Sequence, residues 1–181
     1  MNPMVKQDRK ATRLNGYDYS QPGAYFVTIC VKNRECALGT IIDGFVHLSH
    51  EGKFVSDAWI NLPRHYQHAN LDEFVVMPNH VHGIIIIVGE GLVEQYSPNV
   101  QLHRPSPTGV SGRHGLSEIV RAFKSFSARR INRYRGTTGT PFWQRTFYDR
   151  IIRDEDELNR AQEYIMDNPI KRELDSEKPH A

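Results

Sequence analysis

At 181 residues, with 39% hydrophobic and 10% aromatic side chains, the chain can bury one sizeable core and is too apolar to stay disordered. A mean hydropathy of −0.56 and the want of any apolar run near ~18 residues exclude a membrane-spanning helix. The opening stretch MNPMVKQDRKATRLNGYDYS is polar and carries no export signal, so a cytoplasmic protein without membrane attachment is expected. Cys30 and Cys36 are the two cysteines, too few for a disulfide scaffold, and are expected as reduced thiols. The formal charge of +2 is unevenly spread. Between Arg113 and Arg153, ten Lys or Arg face only Glu118 and Asp149, a local charge of +8 against −6 elsewhere. A basic block of this kind inside a folded domain points to a polyanion, nucleic acid before others, with a solvated helix face as the plainer alternative.

Residues 1–22 form a polar arm. Ala24 to Lys32 is β-branched and aromatic after a Pro-Gly turn, and Ile41 to Leu48 follows across Gly39, so the two are expected to pair as a hairpin. Ser49 is placed to cap a helix from His50 to about Tyr66, where Phe54, Val55, Ala58, Trp59 and Leu62 recur at helical spacing and Pro63 ends or bends it. Two apolar strands, Leu71 to Met77 and His80 to Val88, flank Pro78-Asn79 and are expected as central antiparallel neighbours.

Gly89 to Gly115 holds five Gly and three Pro without any period and reads as a flexible insertion. Helical spacing resumes from Leu116 to Tyr134, with Leu116, Ile119, Val120, Phe123, Phe126 and Ile131 as the apolar stripe and the basic residues off it. Phe142 to Arg153 is a loop entering an extended stretch. Asp154 and Glu157 then make a capping-box pattern that opens a last helix, expected to stop at Pro169. A polar tail occupies 173–181.

Two constellations carry chemistry. In His80-Val81-His82 the i, i+2 spacing puts both imidazoles on one face of a strand, a two-ligand metal platform that needs a further donor, or else two hydrogen-bonded polar residues. Ligand softness alone would suit zinc or another transition metal. On the last helix, Tyr164 and Asn168 at i, i+4 share a face. A phenol ordinarily holds its proton to about pH 10, so a nucleophilic Tyr needs a neighbouring base or cation; the plainer alternative is a packed ring and an ordinary helix end.

The strand FVVMPNHVHGIIIIV and the segment FWQRTFYDRIIRDEDELNRAQEYIMDNPIKR resemble, respectively, the histidine-hydrophobic-histidine strand of the HUH endonuclease superfamily and the C-terminal signature of REP-associated tyrosine transposases. These are relatives of the single-tyrosine insertion-sequence transposases. The resemblance runs from about Gly23 to Arg172, leaving out the insertion, and implies one HUH domain over 23–172. The fold it implies is α+β: a ferredoxin-like, RRM-like antiparallel sheet with helices packed on one face and the catalytic helix brought to the His-bearing strand. It implies Tyr164 as nucleophile and His80, His82 and Asn168 as ligands of Mg or Mn. The implied reaction is cleavage of single-stranded DNA through a 5′-phosphotyrosine, at hairpins formed by palindromic repeats.

For the DNA, the basic residues Arg121, Lys124, Arg129, Arg130, Arg133, Arg145 and Arg150 are candidates to hold phosphates. Phe142, Trp143, Phe147 and Tyr148 are candidates to stack bases, or to belong to the core. Relatives occur as monomers and as homodimers, so either is expected. Two other classes remain open on the sequence: a non-catalytic RRM-like nucleic-acid-binding module, and a metal-dependent phosphodiesterase without a covalent step.

Overall fold

The computed structural model describes residues 16–88 and 114–177; most of the Gly89 to Gly115 insertion and of the N-terminal arm lies outside them. In chain order the elements are β1 (Gly23–Cys30), a 3-10 turn (Lys32–Arg34), β2 (Gly39–Ile42), β3 (Phe45–Leu48), α1 (His50–Ile60), α2 (Leu62–His65), β4 (Ala69–Met77), β5 (His80–Ile87), α3 (Leu116–Arg135), β6 (Tyr148–Ile152) and α4 (Glu155–Glu177). The main sheet has the order β4-β5-β1-β6 and every pairing in it is antiparallel. With α1 after β1 and α3 after β5, this is the βαββαβ ferredoxin-like arrangement.

Alternation along the strands divides the sheet into two faces. One buries Tyr25, Val27, Ile29, Val81, Ile85 and Ile87 with Val55 and Trp59 of α1 and Ile119, Val120 and Phe123 of α3, forming the main core. The other face holds a smaller cluster of Ala24, Ile84, Ile86 and Ile165, edged by Phe26, Val75, Leu158 and Ala161. Helices α1 and α3 therefore share one face, and α4 lies across the opposite, His-bearing face.

Ser49 caps α1 by accepting the Gly52 N–H, while Pro63 sits in the first turn of α2, where its missing N–H costs no helical bond. The Asp154 carboxylate accepts the Glu157 N–H as the capping box requires, whereas Glu157 reaches back to the N–H of Arg153. Both cysteines are free thiols, Cys30 buried and Cys36 exposed.

Three local expectations are corrected. The segment Ile41 to Leu48 does not pair with β1: it falls within β2 and β3, which form a separate two-stranded sheet across a turn at Asp43-Gly44, both with positive φ. Both edges of β1 are taken, by β5 and β6. Second, α4 does not stop at Pro169 but runs to Glu177. Proline removes one intrahelical bond, yet the turns beyond it dock on the small sheet, where Glu173 accepts the Gly44 N–H and Ile170 packs against Gly44. Third, Phe126 of the α3 stripe is exposed, beside His65 and under the Arg129 guanidinium.

Candidate active site

The site is built on β5, a central strand of which every residue is buried. His80 and His82 point to the α4 face; Val81 and Gly83 point to the main core. A Cβ on Gly83 would stand 2.3 Å from Cζ2 of Trp59, so the indole lies directly behind the histidine strand in space that only glycine leaves. Because Trp59 packs there and Val81 fills the next core position, the alternation of the strand is fixed and both imidazoles must emerge together.

Each ring is held by a neighbour. Nδ1 of His80 lies 2.7 Å from Oδ1 of Asn79, whose Nδ2 donates to the Arg34 carbonyl at 3.2 Å. Nδ1 of His82 lies 2.9 Å from Oγ1 of Thr28 on β1, its cross-strand partner, and Phe26 stacks on its ring. The two Nε2 atoms come within 2.9 Å of each other. Burial, then His82, Arg172 and Arg34, lowers the pKa of His80 to about 3; burial, then Arg34, lowers that of His82 to about 4. Both rings are neutral at physiological pH, the form that ligates metals. The 2.9 Å separation is that of an N–H···N hydrogen bond between the rings, and it also leaves both nitrogens within reach of one divalent cation. Among the described residues no cluster of three or more His, Cys, Asp or Glu is placed to hold one, so further donors are to be sought in an amide, a phenol, solvent or a ligand oxygen.

Helix α4 supplies the amide and the phenol. Ile165, fully buried against Ile84 and Ile86, anchors it to the sheet, and Gln162 donates to the Asp72 carboxylate of β4. These contacts turn Tyr164 and Asn168 toward β5. The Tyr164 ring meets His82 edge-on at 5.3 Å and Phe26 at 5.9 Å between centroids. Tyr164 remains 45% exposed, whereas Asn168 is buried at 9%. A cavity of about 670 Å³ is lined by His80, His82, Tyr164 and Asn168 together with Thr28, Arg34, Lys171 and Arg172. All four residues expected to form the centre therefore line one space.

The structure adds five participants. Asn79 and Thr28 orient the histidines, and Arg34, Lys171 and Arg172 line the cavity. Lys171 and Arg172 have a signal in the sequence, standing one turn beyond Asn168 on the same helix; Thr28 and Arg34 come from β1 and the turn after it and have none.

The expected DNA-binding residues separate. Arg150 of β6 stands opposite Phe26 and lines a second hollow beside Tyr164, with Glu157, Arg160 and Ala161. Arg121, Lys124, Arg129, Arg130 and Arg133 belong to α3, on the other face of the sheet. Arg121 pairs with Glu118, and Arg130 with Asp57 at 3.2 Å; Arg129 and Arg133 are exposed, as is Arg145 in the loop before β6. Two candidates are engaged within the fold. Lys124 donates to the carbonyls of Gln144 and Arg145 at 2.6 and 2.9 Å. Trp143 is 6% exposed, with its indole N–H on Ser127 and its ring against Phe123, and so is packed as part of the core. Phe142 and Phe147 are likewise buried; Tyr148 is exposed.

The site is thus a buried histidine pair, a phenol and an amide on one face of a ferredoxin-like sheet. No family model matches the chain. It is 37% identical over 169 residues to an uncharacterized protein of Haemophilus influenzae, across 92% of this chain and 91% of that one. The chain belongs to the family of that protein. Among solved structures it is similar to a REP-associated tyrosine transposase bound to a REP hairpin, with a TM-score of 0.57 and 21% identity over 88% of this chain and 74% of the other. The fold is transposase-like. No described helix is long and apolar enough to cross a membrane.

Proposed function

We propose that the protein is a single-stranded DNA endonuclease and strand transferase, a transposase that cleaves at DNA hairpins through a 5′-phosphotyrosine on Tyr164. The observation that carries this reading is the convergence of His80, His82, Tyr164 and Asn168 on one cavity from two elements distant in sequence. The transposase-like fold, and the REP hairpin bound by the neighbour that shares it, support DNA as the substrate.

In this reading Thr28 and Asn79 hold the imidazoles with their Nε2 atoms toward the cavity, and His80, His82 and the Asn168 amide oxygen would hold Mg or Mn. Such an ion, when bound, supplies Lewis-acid polarisation of the scissile phosphate. The Tyr164 oxygen attacks phosphorus in line. A Tyr–O–P bond forms, the P–O3′ bond breaks, and the leaving 3′ oxygen takes up a proton from solvent, to which the phenol has lost its own. Rejoining is the same exchange reversed by a 3′-hydroxyl. The burial of both imidazoles keeps them unprotonated, and Tyr164, half exposed, lines the same cavity.

The test is incubation of the protein with Mg or Mn and a labelled hairpin oligonucleotide from the chromosomal sequence bordering the coding region. The expected result is a protein–DNA adduct that survives denaturation. Cleavage without an adduct would replace the reading with a water-using phosphodiesterase; binding without cleavage would replace it with an RRM-like binding module.

A further inference from the structure

The cavity that carries the histidines is more cationic than a metal site alone requires. Arg34 enters it from the turn after β1, and Lys171 and Arg172 from α4, with no carboxylate among the described residues that line it. These three share a rim with His80, Tyr164 and Asn168, whereas the basic residues of α3 lie beyond the sheet.

The backbone that brings Arg34 there is unusual. Asn33 and Arg34 both have a φ of 57°, the left-handed region that L-residues enter only at a cost. The conformation is held from the site itself, because Asn79, which orients His80, also donates to the Arg34 carbonyl. The left-handed turn, fastened through Asn79, sets where the exposed Arg34 side chain leaves the backbone, and that side chain lines the same space. Lys171 pairs at the surface with Asp167, both more than half exposed, a weak pair that another anion can replace.

We infer that Arg34, Lys171 and Arg172 form an anion site that takes one phosphodiester of a single strand and holds it against Tyr164. The inference deepens the nuclease reading and rests on it for the identity of the strand. The site accepts a phosphate by charge and hydrogen bonding, with Arg34 and Arg172 as forked donors and Lys171 as a point charge. All three are positioning residues: they place the phosphorus and do not exchange protons with it.

The experiment uses metal-free protein in chelator, so that binding is read without chemistry. Fluorescence anisotropy with labelled oligothymidylate, repeated across salt concentrations, should give a log–log slope for the Arg34→Gln/Lys171→Gln/Arg172→Gln variant that is shallower by about 0.7 for each phosphate that the variant no longer neutralises. Inorganic phosphate, titrated into the parent, should move the NMR ring signals of His80 and His82, and should leave them in place in the triple variant. Arg34→Gln alone, an exposed single change, should show part of both effects and serves if the triple variant fails to fold. A triple or single variant with the parent's slope, or a parent whose histidine signals ignore phosphate, overturns the inference. Adduct formation by such a parent would leave the nuclease reading standing, while absence of an adduct in a parent that binds phosphate as stated would remove the nuclease and keep the anion site.

Discussion

The ring of Tyr164 meets the ring of His82 edge-on, with centroids 5.3 Å apart and planes 72° from parallel, so the phenol ring is docked on the histidine pair while the residue stays half open to solvent. Replacing Tyr164 with Phe keeps that contact and removes one oxygen. The variant should fold with a stability within about 0.5 kcal/mol of the parent and bind DNA equally well, yet form no denaturation-resistant adduct on a gel. If the adduct persists, the nucleophile lies elsewhere, and Tyr148, exposed on β6, is the next to replace.

Metal affinity should depend on residues that do not ligate. Thr28→Ala and Asn79→Ala each free one imidazole to rotate, and loss of such supporting hydrogen bonds typically weakens metal binding by about 10- to 100-fold. Calorimetric titration with Mn should show this order of loss, with a larger loss for His80→Ala. Equal affinities in Thr28→Ala and the parent would mean that packing against Phe26 alone orients His82.

The two histidines also set a pH dependence for the metal-free fold. Folded, their pKa values are lowered to about 3 and about 4; unfolded, they return to about 6.5. Between these limits the unfolded chain binds protons that the folded one refuses, so stability is lost as pH falls below about 6.5, by at most about 1.4 kcal/mol per pH unit for each imidazole. Thermal melts from about pH 7 down to pH 5 should show a falling Tm, with a gentler fall in His82→Gln. A Tm independent of pH over that range would show that protons reach the native rings.

Gly83→Ala places a methyl carbon 2.3 Å from the Trp59 ring, with the Phe74 Cβ at 3.0 Å. Overpacking of this kind costs about 1–3 kcal/mol, readable as a lowered denaturant midpoint, and Trp59→Leu in the same chain should recover part of it. A neutral Gly83→Ala would indicate that the indole moves without cost.

The basic helix calls for a split result. Arg129→Ala/Arg130→Ala/Arg133→Ala should lower overall affinity for DNA and flatten its salt slope by about 0.7 to 0.9 per phosphate left without its cation. At saturating DNA the adduct should form at the parent's rate, because α3 and the cavity occupy opposite faces. A slowed rate at saturation would tie α3 to the chemistry.

The histidine strand was legible because its period of two is short-range information, and so was the pairing of β4 with β5 across a tight turn. Tyr164 and Asn168 were legible as a pair at helical spacing, and their approach to β5 only through resemblance to a family. What the sequence hid is long-range. Nothing local shows that β1 has both edges filled by strands far along the chain, or that a helix continues past Pro169 because the Asp43-Gly44 turn receives its next two turns. Trp143 and Arg145, two residues apart in one basic, aromatic stretch, differ only in whether Phe123 and Ser127 cover them, and that is decided by the packing of α3. Arg34 gave no signal since its position follows from a left-handed turn and from an asparagine, in the distant turn between β4 and β5, that is bonded to its carbonyl.

The sheet places the two halves of the site in regions of unequal persistence. His80 and His82 belong to a strand flanked on both sides, whose amides should be among the last to exchange with deuterated solvent and should report the global unfolding free energy. Tyr164 and Asn168 ride on a helix that contains Pro169, where one backbone hydrogen bond is lost, and that is fastened through a cluster much smaller than the main core, so its amides should exchange sooner, by openings that leave the histidine strand intact. The histidine pair would then be a permanent fixture and the phenol and amide a part that comes and goes without unmaking the fold.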